Sequence, residues 1–228
     1  MLTINNLTVS YGDKIVLENL HVNIEFAKIH GIVGLNGAGK TTLLNTLYGF
    51  KSKDSGLILY NDSQLKRIDI AYLETENFYY SNITGKEYLT LFKRATNDYN
   101  LDDWNKLFKL PLDQLIDSYS TGMKKKLALM AILKQDKKIV ILDEPFNGLD
   151  IESSKILSLI ITKLKEKEKT IIITSHILES LTNICDYIYY LENKAISFTR
   201  DKNNFTNIEN EIFKDMEAEH KQLINKII

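Results

Sequence analysis

The octapeptide GLNGAGKT, Gly34 to Thr41, constrains this chain more than any other feature. It satisfies G-x-x-x-x-G-K-[ST] and stands in the required setting. The apolar run Ile29-His30-Gly31-Ile32-Val33 before it reads as a strand, and Thr41 to Phe50 after it reads as a helix. Gly34, Gly37 and Gly39 let the backbone turn tightly and point N–H groups inward. Those donors and the positive end of the helix hold phosphate oxygens. Lys40 reaches the β and γ phosphates, and the Thr41 hydroxyl is offered to Mg²⁺. Leu35, Asn36, Ala38 and Thr42 complete the nucleotide-binding set. At average composition a chain this long would match the pattern by chance at roughly the 1% level. A ligand-free glycine turn would also leave Lys40 without a role, so a nucleoside triphosphate is the expected ligand.

The rest of the chain reads as α/β. Leu20, Val22, Ile24 and Phe26 alternate as a strand with one buried face does, and residues 2 to 33 are β-rich throughout. Short strands are expected at Leu57 to Tyr60 and Ile68 to Leu73. Lys138 to Leu142 and Thr170 to Thr174 are continuous apolar runs, the pattern of strands buried on both faces of a parallel sheet. Helices are expected at Ile151 to Lys165 and Ile177 to Ile184, with a strand at Tyr187 to Leu191. This alternation predicts a mainly parallel sheet. Between about 76 and 133 the spacing turns helical, as for a lobe inserted into the domain. After about residue 200 a polar break precedes a tail with Ile208, Ile212, Phe213, Met216, Leu223 and Ile227 at rough helical spacing, read as a helix docked on the core, with a partner-binding helix as the alternative.

A phosphate loop that works on its ligand needs a second metal contact and a group to handle water. Ile139-Val140-Ile141-Leu142-Asp143-Glu144 supplies both, with two carboxylates at the end of a central strand. Open α/β sheets place ligands at that end. Asp143 is expected to hold Mg²⁺, and Glu144 to orient or deprotonate the attacking water.

Four further stretches carry a family resemblance. Tyr119-Ser120-Thr121-Gly122-Met123-Lys124 resembles the LSGGQ signature of ABC ATPases. Asp143-Glu144-Pro145-Phe146-Asn147-Gly148-Leu149-Asp150 resembles that family's Walker B and D-loop in tandem. Ser175-His176 looks like its switch histidine, and Tyr11 like the aromatic that stacks on adenine. The resemblance covers about residues 1 to 200. It implies a P-loop NTPase core with a mainly parallel sheet, an N-terminal antiparallel β subdomain and an inserted α-helical lobe. It also implies ATP hydrolysis with Mg²⁺, with Lys40, Glu144 and His176 catalytic. Ser120 and Gly122 would bind the γ-phosphate held by an opposite, head-to-tail protomer.

Two positions depart from the family pattern. Thr121 replaces the first glycine of the signature. Thr75 falls where the family has a glutamine that helps hold Mg²⁺ and reports nucleotide state to the helical lobe. The threonine oxygen can act through a water, so Thr75 is taken as a metal contact, with Glu74 and Glu76 as substitutes. Lys124-Lys125-Lys126 is expected to be a solvated basic face, with a supporting electrostatic role near the γ-phosphate as the alternative.

Composition narrows the function. No run of 18 apolar residues exists, so the chain is not expected to cross a bilayer. No signal peptide is read at the N-terminus. A formal net charge of −1 gives no footprint for nucleic acid. The single cysteine, Cys185, reads as a small buried thiol in a reducing compartment. His21, His30 and His220 have no functional context. The resemblance then implies the motor subunit of a transporter, exporting a peptide, antibiotic or other amphiphile. Its partners would be an integral membrane subunit and a second nucleotide-binding domain, identical or paralogous, at the cytoplasmic face of the cell membrane. The alternatives are a soluble ABC ATPase acting on ribosomes or nucleic acid, a small-molecule kinase, and a nucleotide-dependent regulator with little turnover.

Overall fold

The apolar positions of the first strand change phase partway along. Leu2 and Ile4 lie at even positions, Leu7 and Val9 at odd ones, yet all four are buried. In the structure, a computed structural model that describes residues 1–93 and 99–213 together with Ile224 and Ile227, a register shift between Ile4 and Leu7 absorbs the extra residue. Asn6 takes a left-handed φ of 53° there. A bulge of this kind keeps both pairs on one face, where an unbroken strand would turn one pair to solvent.

The elements run β1 (Leu2–Tyr11), β2 (Lys14–Ile24), β3 (Ile29–Val33), α1 (Lys40–Tyr48), β4 (Ser55–Tyr60), β5 (Ser63–Gln64), β6 (Ile70–Leu73) and α2 (Gly85–Thr90). Then come α3 (Leu101–Phe108), α4 (Thr121–Lys134), β7 (Ile139–Leu142), α5 (Ile151–Glu166), β8 (Thr170–Thr174), α6 (Leu178–Thr182), β9 (Tyr187–Glu192) and β10 (Ala195–Asp201). Two sheets form. The first has the order β2-β1-β4-β5, with antiparallel pairing throughout. The second has the order β10-β9-β3-β8-β7-β6 and is parallel except for β10.

Period-two geometry divides the core. Ile139 and Ile141 of β7 face the first sheet and α1, where Leu43, Leu44 and Leu47 join Leu2, Ile4, Leu7 and Val9. Val140 and Leu142 face the opposite side, with Leu127 to Ile132 of α4 and Leu157, Ile160 and Ile161 of α5. Both faces of β7 are therefore apolar, as the continuous run in sequence requires.

The helical lobe is more broken than its sequence spacing suggests. Its first helix starts only at Gly85, where a capping box joins Thr84 and Glu87. Strand β10 was missed in the sequence, although Ala195 to Asp201 pairs antiparallel along β9 and closes that edge. In the tail, Ile208 is buried, and Phe205 and Ile212 pack on the main core. Ile224 and Ile227 are exposed. Met216, His220 and Leu223 lie outside the described residues. His30 is fully buried. Cys185 is buried, with its thiol pushed up by desolvation. Among the described residues no helix is long and apolar enough to cross a membrane.

Candidate functional site

Strands β3, β8, β7 and β6 are neighbours in that order and run parallel. Their carboxyl ends therefore lie side by side. Each end opens into one of the sequence-marked segments: the phosphate loop after β3, Ser175-His176 after β8, Asp143-Glu144 after β7, and Glu74-Thr75-Glu76 after β6. The topology gathers four distant pieces of sequence at one edge.

In the phosphate loop, Gly39 holds a φ of 109° as the residue that opens α1, a conformation closed to β-carbon residues without strain. The Lys40 ammonium is buried and donates to the carbonyls of Gly34 at 2.7 Å and Leu35 at 3.2 Å. Burial lowers its pKa below the usual lysine value, while Glu144 and Asp143 favour its charge. An amine curled onto its own loop in this way has donors to give to phosphate oxygens. Leu35, Asn36 and Gly37 are exposed at the loop tip, Ala38 and Thr42 half-buried, and Gly34 buried.

The strand-end acids are held by side chains from three elements. Thr41 Oγ1 donates to Asp143 Oδ2 at 2.8 Å. Thr174 Oγ1, at the end of β8, donates to Asp143 Oδ1 at 2.5 Å and accepts from the Glu144 N–H at 2.9 Å. Glu144 sits at a left-handed φ of 47°, which stores of order 1 kcal/mol or more of backbone strain. Its carboxylate accepts from the His176 N–H at 3.2 Å and from His176 Nδ1 at 2.9 Å. A carboxylate can only accept here, so Nδ1 carries the proton and Nε2 remains available. Strain is maintained by these contacts, and they aim the carboxylate.

Thr41, Asn45, Tyr72, Glu74, Thr75, Glu76 and Asp143 line one cleft of about 360 Å³. Thr75 is exposed within it. Burial raises the Glu74 pKa, opposed by Arg67 and reinforced by Asp143. The donor set of a hydroxyl and a carboxylate suits a hard cation such as Mg²⁺. Among the described residues no group of three or more His, Cys, Asp or Glu side chains could form an all-protein cage. A hydroxyl, one carboxylate and substrate phosphates are the usual alternative for Mg²⁺, and these residues fit it.

Ser120 and Gly122 do not line this cleft. Ser120 caps α4 by accepting from the Met123 N–H at 3.3 Å. A β-carbon on Gly122 would lie 2.9 Å from the Gly148 carbonyl oxygen, so the signature backbone rests directly on the Asn147-Gly148 turn. Asp150 caps α5 through the Ser153 N–H at 2.7 Å, which lowers its pKa to about 2. Tyr11 is also away from the cleft, half-exposed, with the Lys51 ammonium 4.4 Å from its ring centroid.

Sequence reasoning missed Asn45 and Thr174. Asn45 accepts from the Tyr72 hydroxyl at 2.9 Å. Thr174 stands directly before Ser175-His176 and carried a usable signal. The expectation of a solvated basic run after the signature is corrected at Lys125, which is only 6% exposed. Lys126 reaches Asp150 at 3.5 Å.

The comparisons with known proteins agree with this geometry. The family model described as ABC transporter matches residues 17–147. The chain is 32% identical over 216 residues to the lantibiotic transport ATP-binding protein SrtF of Streptococcus pyogenes, covering 92% of this chain and 94% of that protein. It is 32% identical over 196 residues to the bacitracin transport ATP-binding protein BcrA of Enterococcus faecalis, covering 80% of this chain and 63% of that one. Among solved structures, an ATP-binding subunit of an ABC transporter superposes with a TM-score of 0.83 at 25% identity, covering 94% of this chain and 93% of its own.

Proposed function

The chain belongs to the ABC transporter family of ATP-binding proteins, and from that premise we propose that it is the ATP-hydrolysing motor subunit of a membrane exporter. The observation that carries this reading is the convergence of Lys40, Thr41, Asp143, Glu144 and His176 at the carboxyl ends of three adjacent parallel strands.

Each side chain then has a task. Lys40 and the loop N–H groups of residues 34 to 42 hold the triphosphate of ATP, and the exposed Tyr11 ring takes the adenine. Mg²⁺, when bound, neutralises charge developing on the phosphates. Thr41 and Asp143 would hold it, with Thr75 acting through water. Glu144 takes the proton of the attacking water, its carboxylate aimed by two bonds from His176. His176 Nε2 can donate to a γ-phosphate oxygen only in the ring form that carries a proton on both nitrogens, with Nδ1–H still held by Glu144. Ser120 and Gly122, standing outside the cleft at the start of α4, serve the nucleotide of a second, head-to-tail nucleotide-binding domain, identical or paralogous.

Residues 1–200 form the ATPase domain in this reading, and residues 201–228 a C-terminal tail. The chain works at the cytoplasmic face of the cell membrane with an integral membrane subunit. A peptide antibiotic or similar amphiphile is the inferred cargo, supported by the names of the two relatives.

The test is a pull-down of tagged Glu144→Gln from detergent-solubilised membranes of the native host with ATP and Mg²⁺. Stoichiometric recovery of a polytopic membrane protein is expected. Recovery of ribosomes or nucleic acid instead would replace the transporter reading with a soluble one.

A further inference from the structure

Lys125 is the one member of the basic run after the signature that is removed from solvent, at 6% exposure. It projects from α4, a helix otherwise packed by Leu127, Ala128, Leu129 and Met130. Its ammonium donates to the Thr75 carbonyl at 3.3 Å and reaches the Glu74 carbonyl at 3.5 Å. Burial lowers its pKa below the usual lysine value, and the charges of Asp143 and Glu144 favour the ammonium. A buried ammonium is costly to keep, and two long bonds to neutral carbonyls offset that cost only in part. Packing alone would be served better by an apolar side chain of similar volume.

The placement gives the charge a purpose. Glu74 and Thr75 line the metal cleft together with Thr41 and Asp143. The same segment touches α4 once more, through the Tyr79 hydroxyl donating to the Lys124 carbonyl at 2.7 Å. Asn77 closes it locally by donating to the Glu74 carbonyl at 3.0 Å. Lys125 thus contributes a side-chain tie between the segment that follows β6 and the helix that starts at Ser120. The position where the family resemblance expects a glutamine is a threonine, too short to span from the metal cleft to the lobe.

We propose that Lys125 is a positioning residue for the nucleotide site. Its ammonium clamps the Glu74 and Thr75 carbonyls to α4, and so joins the metal cleft to the helical lobe in place of a long side chain at position 75. This rests on the ATPase reading above. Because the clamp acts through Thr75 and not on ATP itself, its loss should lower kcat more than it changes KM.

The experiment measures steady-state phosphate release against ATP concentration for wild type, Lys125→Met, Lys125→Arg, Thr75→Gln and the Lys125→Met/Thr75→Gln double variant. It is paired with hydrogen exchange of residues 73–80 without nucleotide. Lys125→Met is expected to lose about 10-fold or more in kcat, the scale of a small misplacement at a reacting centre, with KM within about 3-fold. Lys125→Arg should recover most of that loss. Thr75→Gln should raise turnover alone, and in the double variant should restore more than independent effects predict. Exchange at 73–80 should quicken in Lys125→Met. The proposal is overturned if Lys125→Met keeps wild-type kcat and exchange, or if the methionine and arginine variants lose turnover equally with matching drops in Tm. Wild-type turnover no faster than that of Glu144→Gln would instead remove the ATPase reading, while the exchange data still judge the clamp.

Discussion

His30 is buried between the two sheets, with its ring stacked at 8° on Tyr187. Nε2 lies 2.7 Å from the Glu25 carbonyl and must donate to it. Nδ1 lies 3.0 Å from the Tyr189 hydroxyl, whose proton is also 2.9 Å-bonded to the Asn23 carbonyl. Desolvation lowers the ring pKa from 6.5 to about 4, against smaller opposing effects from the Glu25 carbonyl and the charges of Asp186 and Glu25. The unfolded chain then takes up a proton near pH 6.5 that the folded one refuses until about pH 4. Stability is fully present above pH 6.5 and falls as pH drops through that window. The loss is about 2 kcal/mol by pH 5 and about 3 kcal/mol by pH 4. Urea unfolding followed by circular dichroism should show this loss in wild type relative to His30→Asn, which lacks the titrating ring. A protonated ring would donate at both nitrogens and leave the Tyr189 proton wholly to Asn23. If that gain outweighed desolvation, the wild-type curve would run parallel to the variant or rise on acidification, and the desolvation argument would fail.

Two substitutions test the nucleotide site. Lys40→Ala should weaken ATP binding by about 2–3 kcal/mol, roughly 100-fold in Kd by calorimetry; unchanged affinity would remove the phosphate-loop assignment. Gly122→Ala places a β-carbon 2.9 Å from the Gly148 carbonyl oxygen, so turnover should fall about 10-fold while ATP affinity measured at low protein concentration stays the same.

Much of the architecture was legible because it rests on period and punctuation. The Ile29–Val33 and Thr170–Thr174 strands have the same limits in the structure as in the sequence reading, since continuous apolar runs ending at a polar loop leave little freedom. Strand β10 was not read because Ile196 and Phe198 alternate with exposed Ser197 and Thr199 for only two periods before the charged Arg200 and Asp201. The bulge at Asn6 was hidden as a loose alternation, and only pairing with β2 reveals it. The gathering of Lys40, Asp143 and His176 depends on strand order, which no local pattern encodes. Lys125 was misread for a related reason. Charge in a helix usually marks the solvated face, and only the position of the Glu74–Thr75 backbone shows that this one faces inward.

The most direct test of the central claim is phosphate release by purified wild type and Glu144→Gln at saturating ATP and Mg²⁺. Wild type should turn over steadily and the variant should lose at least about 100-fold, with ATP binding retained and an ATP-stabilised dimer formed. Equal rates in the two proteins would contradict the role given to the Glu144 carboxylate and, with it, the reading of this chain as a motor.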